Sequence, residues 1–239
     1  MASVVCKDTN EIFYVLFGNP HSSVFSRTKF KLKEATVKNG CGRFIDTRML
    51  DLAYYDGWRD NEHHITTKSY YHVICPFFSY FVKTFKFNPD DFVEVPFYSA
   101  DFKYDVSYLK PKQDYRFTMN MNGENIGSGL TFDEITNVNW VNEEAKYLTE
   151  YHRLFRGAHS CCVITNDTID NDNSIFVSGD SMMLPLIPIF CCYYKEVVYM
   201  DNRDGKSHKD YYEGKKFDEI LLCFFEPQAN NKVLGINLQ

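Results

Sequence analysis

Residues 175–190, IFVSGDSMMLPLIPIF, place the tripeptide Gly179-Asp180-Ser181 between two apolar runs. The first run is rich in β-branched and aromatic residues and predicts a buried strand, whereas the second predicts a helix that begins near Ser181. The segment EVVYMDN at 196–202 predicts the next strand. Strand, helix and strand in this order indicate a parallel pair of strands and therefore an α/β fold.

Other apolar stretches extend this pattern along the chain. EIFYVLFG at 11–18 and EILLCFFE at 219–226 predict two more buried strands, and GRFIDTRML at 42–50 predicts a strand that enters a short helix or turn. Apolar residues at helical spacing predict a helix over about 67–83, which is kinked or begins later because Pro76 lies within it. Residues 84–134 alternate apolar and polar residues around the turn NMNGENIGSG and predict a β-rich insertion, followed by a loop and a helix after residue 131.

Length and composition exclude several classes of protein. The 239 residues suit a single domain over 1–239, and the net charge of −6 with scattered cations argues against a nucleic-acid partner. No apolar run approaches about 18 residues, so no membrane span is expected. The eight cysteines lie mostly among apolar residues and show no zinc-ligand spacing, which indicates buried, reduced thiols. Together with the lack of a signal peptide, they favour the cytoplasm, unless the chain is a domain excised from an envelope protein.

Ser181 follows the predicted strand directly, at the place where open α/β sheets bind their ligands. A serine hydroxyl there can attack an acyl carbon, while its own backbone N–H receives the developing oxyanion. Gly179 permits the tight turn, and both Gly179 and Asp180 are candidate contacts for the oxyanion or the substrate. The alternative reading is structural, with Ser181 as a helix N-cap and Asp180 as an exposed turn residue.

A nucleophilic serine needs a base, and the segment RDNEHHITT at 59–67 offers two adjacent histidines. If this segment is extended, Glu62 and His64 project to one side and His63 to the other, so that Glu62 can orient His64. An alternative register takes His63 as the base, with Asn61 at the position of the acid and Asp60 nearby. The cluster is also compatible with a solvated loop, while a metal site is disfavoured because no H-E-x-x-H spacing and no third ligand are evident.

Two ordered motifs resemble a known group. Residues 60–73, DNEHHITTKSYYHV, resemble the D-H-H-W-T segment of SGNH-superfamily proteins related to the alginate O-acetyltransferases, the DHHW-type group. Residues 176–203, FVSGDSMMLPLIPIFCCYYKEVVYMDNR, resemble the serine segment of the same proteins. In that group, as here, the acid and histidine precede the serine by more than a hundred residues, unlike the order in ordinary GDSL hydrolases. The resemblance covers about 42–80 and 172–226 and is weak between them.

The resemblance implies a three-layer α/β/α sandwich of the SGNH-hydrolase type, with a mostly parallel sheet and the β-rich insertion. It further implies Ser181 as nucleophile, His64 as general base, Glu62 in place of the group's aspartate, and Arg203 as a contact for substrate or oxyanion; the alternative for Arg203 is a surface salt bridge. Ile65 replaces the signature tryptophan.

The expected activity is serine-dependent transfer of an acyl group on a glycan, as an O-acetyltransferase or O-acetylesterase, with no cofactor and an acyl donor that the sequence does not specify. Because Glu62 and Ile65 depart from the motif, the alternative is a catalytically impaired module that binds glycan or assists polysaccharide assembly. A metal-dependent esterase is a third possibility.

Overall fold

The computed structural model describes residues 2–17, 33–34, 42–47, 50, 69–97, 106–136, 161–202, 205–225 and 236–238. Its strands are β1 (Ala2–Cys6), β2 (Ile12–Phe17), β3 (Arg43–Asp46), β4 (Phe92–Phe97), β5 (Val106–Pro111), β6 (Phe117–Met121), β7 (Glu124–Leu130), β8 (Cys161–Asn166), β9 (Ser174–Gly179), β10 (Glu196–Asp201), β11 (Lys216–Phe217), β12 (Glu219–Phe225) and β13 (Ile236–Leu238). Its α-helices are α1 (Cys75–Phe81), α2 (Phe132–Thr136) and α3 (Ile187–Phe190). A π-helix (Tyr70–Ile74) precedes α1, and 3₁₀ segments occur at Thr9–Glu11, Pro89–Asp91, Ser181–Leu186 and Gly205–Tyr211.

A large mixed sheet organises the described residues into an α/β fold that is rich in strand and poor in helix. Its order is β3-β2-β12-β9-β10-β8-β6-β7. The first five strands are mutually parallel, whereas β8, β6 and β7 continue the sheet through antiparallel pairings. The expectation of parallel β9 and β10 strands is confirmed, and so are the buried strands expected at β2 and β12.

Both faces of the central strands are buried, which explains why their sequences are apolar throughout rather than alternating. In β2, Phe13 and Val15 join the core on one face, while Tyr14 and Leu16 join the core on the other. The first face packs against the helices and the β4-β5 hairpin. On the second face, described core residues come from β1, β11 and Tyr212. Strands β11, β1 and β13 form a small parallel sheet of their own.

The helix expected over 67–83 is confirmed for its described part, with an irregularity at its proline. The segment begins as the π-helix and continues as α1, and Pro76, the second residue of α1, lies where the two are joined. The Cys75 backbone N–H bonds to the Tyr70 carbonyl, five residues earlier. Phe78 is buried against the sheet and packs edge-to-face on Phe17 and Phe190.

The segment after β9 is less helical than the sequence predicts. It runs as the 3₁₀ segment Ser181–Leu186 and then as the four-residue α3, instead of as one continuous helix. Pro185 and Pro188 explain the difference, because each lacks the N–H that an α-helix interior requires. The segment is nevertheless apolar enough to be buried from Met183 to Cys192.

The 84–134 range contains β4 to β7 but is not a separate layer. Among the described strands, β4 and β5 pair only with each other, whereas β6 and β7 extend the main sheet. The hairpin expected at NMNGENIGSG is confirmed: β6 and β7 are joined by Asn122 and Gly123, which both have positive φ (48° and 89°), as a tight two-residue turn demands.

The buried character expected for the cysteines is confirmed for the seven that the structure describes, all of them free thiols: Cys6, Cys75, Cys161, Cys162, Cys191, Cys192 and Cys223. Cys41 lies outside the described residues. Burial raises the pKa of each described thiol, to about 11 for Cys6 and about 12 for Cys161. Across the ranges that the structure describes, no helix is long and apolar enough to cross a membrane.

Candidate active site

The candidate site lies where the parallel strands of the main sheet end, an edge that we call the carboxyl edge. Strands β9 and β10 end side by side there, with Asp201 directly opposite Gly179. Ser178 of β9 lies opposite Leu222 of β12 on the other side. The central position of β9 means that the residues following Gly179 emerge between two neighbouring strand ends. Open α/β sheets bind ligands at this edge.

The turn that follows β9 carries the Gly-Asp-Ser sequence. Asp180 is buried, with 3% of its surface exposed, so it is not the exposed turn residue of the structural alternative. Its carbonyl accepts a hydrogen bond from the Met183 N–H at 3.0 Å, which closes the first 3₁₀ turn. Ser181 is the first residue of that 3₁₀ segment. The backbone of Ser181 is thus held at the strand end, while its side chain lies outside the described part of the structure.

Gly179 is required by the closeness of the chain that follows it. A Cβ atom at this position would lie 2.4 Å from Cγ and 3.2 Å from Cβ of Met183, and 3.5 Å from Cβ of Cys223. Met183 is almost fully buried, so its side chain has little room to move away. The glycine therefore lets the 3₁₀ segment fold directly back over the end of β9.

Two residues of the neighbouring strand end hold this turn in place. The buried Tyr199 hydroxyl donates a hydrogen bond to the Asp180 carbonyl at 3.1 Å and a longer one to the Gly179 carbonyl at 3.4 Å. The Asn202 N–H donates to the Gly179 carbonyl at 2.9 Å, and its Nδ2 donates to the Cys223 carbonyl at 3.3 Å. The backbone before Ser181 is therefore fixed from β10, and β10 is in turn fixed to β12.

The electrostatic setting disfavours Cys223 as a competing nucleophile. Burial is the main cause that raises the pKa of its thiol well above the usual value, and the charge of Asp180 raises it further. The thiol consequently stays protonated near neutral pH, and a thiol reacts far more slowly than a thiolate. Asp180 and Asp201 are both buried at this edge.

The structure brings together only part of the expected site. Gly179, Asp180 and the backbone of Ser181 form the strand-end turn described above. Asp60, Glu62, His63, His64 and Arg203 lie outside the described residues, so their roles remain predictions. Within the described ranges, no group of three or more histidine, cysteine or acidic side chains is arranged to hold a metal ion.

Sequence reasoning missed Tyr199 and Asn202 as partners of the turn. Both occur in the segment EVVYMDN, whose pattern predicts a strand but no contact with the turn. The parallel pairing of β9 and β10 places Asp201 opposite Gly179, so the N–H of the next residue, Asn202, reaches the Gly179 carbonyl. A polar residue directly after β10 was therefore a candidate contact for the Gly179 carbonyl.

By sequence, no protein-family model and no curated protein matches the chain. Solved structures share its fold. Bacillus cereus PatB1 matches with a TM-score of 0.62 and 14% identity over 92% of this chain and 84% of PatB1. The structure of PatB1 with a sulfonyl adduct matches with a TM-score of 0.61 and 14% identity over 92% and 82%. A DHHW family protein from Eubacterium siraeum matches with a TM-score of 0.56 and 13% identity over 93% and 80%. At 13–14% identity, these similarities show a shared fold.

Proposed function

We propose that this chain is an acyltransferase-type enzyme that moves an acyl group on a glycan through an acyl-serine intermediate at Ser181. The observation that carries the proposal is the Gly-Asp-Ser turn at the carboxyl edge of a fold shared with PatB1, an acetyltransferase. One PatB1 structure bears a sulfonyl adduct, which makes covalent trapping a natural test for the present chain. The SGNH-type three-layer organisation and the assignment of acetyl as the acyl group belong to the same proposal.

The proposed reaction divides into two transfers. The Ser181 Oγ attacks the carbonyl carbon of an ester while His64 accepts the hydroxyl proton, and Glu62 orients the imidazole. The C–O bond to the leaving alcohol then breaks, and that alcohol takes the proton from His64. In the second transfer, a sugar hydroxyl or water attacks the acyl-serine, its proton passes to His64, and Ser181 is restored as the alcohol. The Ser181 N–H is the proposed donor to the oxyanion in both transfers, with Arg203 as an additional contact.

The turn geometry supports this role because it immobilises the backbone of the nucleophile before substrate arrives. Gly179 and Asp180 are tied to β10 through Tyr199 and Asn202, so little reorganisation is needed at the reacting residue. A preorganised nucleophile lowers the barrier by avoiding part of the entropy cost of alignment.

Labelling with a fluorophosphonate tests the nucleophile directly. We expect stoichiometric modification of Ser181, mapped by peptide mass spectrometry, and loss of aryl acetate turnover in Ser181→Ala. Ser178→Ala is the matched control, because Ser178 lies near the end of β9, three residues before Ser181, but is buried, with 3% exposure. Undiminished turnover in Ser181→Ala, or a label at another residue, would remove Ser181 from the mechanism.

Two further variants separate the alternatives for the base. If His64 is the base, His64→Ala loses labelling and turnover, while His63→Ala keeps both; the reverse result selects the register with His63 and Asp60. The departures at Glu62 and Ile65 favour a second candidate, a catalytically impaired module that binds glycan. That candidate predicts a folded protein that binds glycan but does not react with fluorophosphonate. Glu62→Asp would then restore labelling only if the extra methylene of Glu62 is what impairs the site.

A further inference from the structure

A pocket of about 270 Å³ opens at the opposite edge of the main sheet, which we call the amino edge because the parallel strands begin there. Its walls come from three places in the chain: the start of β4, the turn between β5 and β6, and the turn after α3. The side chains that matter below are Asp91, Phe92, Lys112, Gln113, Tyr115 and Tyr193.

Hydrogen bonds hold these walls in position. The Lys112 N–H donates to the Asp91 carbonyl at 2.8 Å, and the Lys112 ammonium donates to the Asp90 carbonyl at 2.6 Å. The Asn88 N–H donates to the Tyr193 hydroxyl at 3.4 Å, and the Asn88 side chain donates to the Asp91 carboxylate at 3.3 Å. Because the contacts link all the segments around Asp91, the pocket is largely formed before any ligand binds.

The pocket has a rigid aromatic wall. The ring of Tyr193 packs edge-to-face on Phe85, with a centroid separation of 5.0 Å, and lies 6.5 Å from the ring of Phe92. On the far side, Tyr115 packs against Phe117 at 6.1 Å. Rings supported in this way offer flat apolar surfaces to a ligand without the entropy cost of ordering flexible side chains.

Polar groups remain available beside these rings. Among the described residues, the Tyr115 hydroxyl and the Gln113 side chain have no hydrogen-bond partner. Burial is the main cause that raises the pKa of Tyr115 to about 12, and the Asp91 carboxylate raises it further, so the Tyr115 hydroxyl is a donor at neutral pH. The Gln113 amide both donates and accepts, and the Asp91 carboxylate accepts.

This combination selects one class of ligand. An anion is disfavoured because the two carboxylates of Asp90 and Asp91 outnumber the Lys112 ammonium, which already donates to the Asp90 carbonyl. A wholly apolar ligand would remove polar groups from water without replacing their hydrogen bonds. The volume lies just below the usual ligand-pocket range of roughly 300–1,000 Å³, which suits one small ring. We propose that the pocket binds a single neutral sugar ring, with its apolar face on the tyrosines and its hydroxyl groups on Tyr115, Gln113 and Asp91.

The position of the pocket makes it a second site rather than part of the proposed active site. Strand β9 runs from Ser174 at the amino edge to Gly179 at the carboxyl edge, and six residues of strand span about 20 Å. A sugar in the pocket is therefore remote from Ser181. The proposal goes beyond the acyl-transfer function and does not need Ser181 to be a nucleophile.

Ligand-observed saturation-transfer NMR on the full chain tests this proposal, with glucose, galactose and N-acetylglucosamine as separate probes. We expect millimolar binding of at least one sugar, weakened at least fivefold by Tyr115→Phe and by Gln113→Ala. Tyr80→Phe is the matched control, since it removes a hydroxyl from a tyrosine that is 82% exposed and outside the pocket, and it should leave binding unchanged.

Ser181→Ala separates this inference from the proposed catalytic function. Sugar binding that persists in Ser181→Ala but falls in the two pocket variants supports an independent site. The inference is overturned if none of the sugars binds, if the pocket variants bind as well as the unchanged chain, or if sulfate or indole binds at the pocket while the sugars do not. Circular dichroism of each variant confirms that a loss of binding is not a loss of fold.

Discussion

Replacing either of two buried tyrosines, at opposite edges of the main sheet, by phenylalanine should affect stability and activity differently. Tyr199 donates to the carbonyl groups of Asp180 and Gly179 at the carboxyl edge. Tyr194 donates to the Glu219 side chain at the amino edge. Both rings are fully buried, so replacement by phenylalanine removes one hydroxyl in each case and keeps the packing. The pair therefore separates the effect of a lost hydrogen bond from the effect of its location.

The expected loss of stability differs because the acceptors differ. In Tyr199→Phe, the Asp180 carbonyl keeps the Met183 N–H and the Gly179 carbonyl keeps the Asn202 N–H, so neither is left without a donor. We expect the free energy of unfolding to fall by about 0.5–1.5 kcal/mol, the range for a neutral hydrogen bond. In Tyr194→Phe, the partner is a carboxyl group, and we expect a larger fall of about 1.5–3 kcal/mol when that group is ionised.

The expected loss of activity runs the other way. Tyr199→Phe loosens the backbone before Ser181, and a misplacement of about 1 Å at a reacting group costs on the order of 100-fold in rate. We expect kcat for aryl acetate turnover to fall about 10- to 100-fold in Tyr199→Phe, with KM little changed. Tyr194→Phe should keep the full kcat, because its hydroxyl is at the far edge of the sheet.

The assays are urea unfolding for stability and initial-rate kinetics with an aryl acetate at saturating concentration. Tyr199 acts on the turn and not on the substrate, so its effect must appear in kcat rather than in KM. The reasoning is refuted if Tyr199→Phe retains full kcat, or if Tyr194→Phe loses kcat to the same extent.

Three further predictions concern packing and ionisation. Gly179→Ala forces a methyl group against Met183, and we expect a loss of about 1–3 kcal/mol in urea unfolding, whereas an unchanged midpoint would mean that the 3₁₀ segment shifts freely. Burial raises the pKa of Glu219, so the folded state holds the Glu219 proton more tightly than the unfolded state does. The free energy of unfolding should therefore decline as the pH rises from about 4.5 through the raised pKa. Glu219→Gln should flatten that decline in unfolding curves taken across this pH range. The seven described thiols should resist iodoacetamide in the folded protein and react fully in urea, as counted by peptide mass spectrometry, and rapid labelling of any of them in the native state would contradict their burial.

The central strands could be predicted from the sequence because both of their faces are buried, so their residues are apolar at nearly every position. Strands β2, β9, β10 and β12 are short apolar runs bounded by polar or turn residues, which is the pattern of strands buried on both faces. The β6-β7 hairpin was predictable for a local reason, since Asn-Gly favours the positive φ angles of its turn. In each case the information lies within about ten residues.

Features that depend on distant partners were not predictable in this way. Strand β8 (CCVITN) was not predicted as a strand, and its antiparallel pairing joins β6 to β10 across more than thirty residues of sequence. Strand β1 pairs with β11 and β13 from the other end of the chain. The prediction of one continuous helix at 181–190 was wrong for a different reason. The apolar residues of this segment suit a buried helix, but its prolines interrupt the backbone hydrogen bonds of an α-helix.

At the candidate site, the local sequence predicts the turn, whereas the strand register determines which residues contact it. The Gly-Asp-Ser motif locates a turn, but the motif by itself does not say what holds that turn. The parallel register places Asp201 beside Gly179, so Asn202 necessarily meets the Gly179 carbonyl, and Tyr199, two residues before Asp201, extends its hydroxyl to the same turn. Because these partners are set by the pairing of β9 with β10, a change that moves the register by one residue would remove both contacts together while leaving the motif intact. The geometry around Ser181 therefore depends on the whole sheet rather than on the three residues that reveal it.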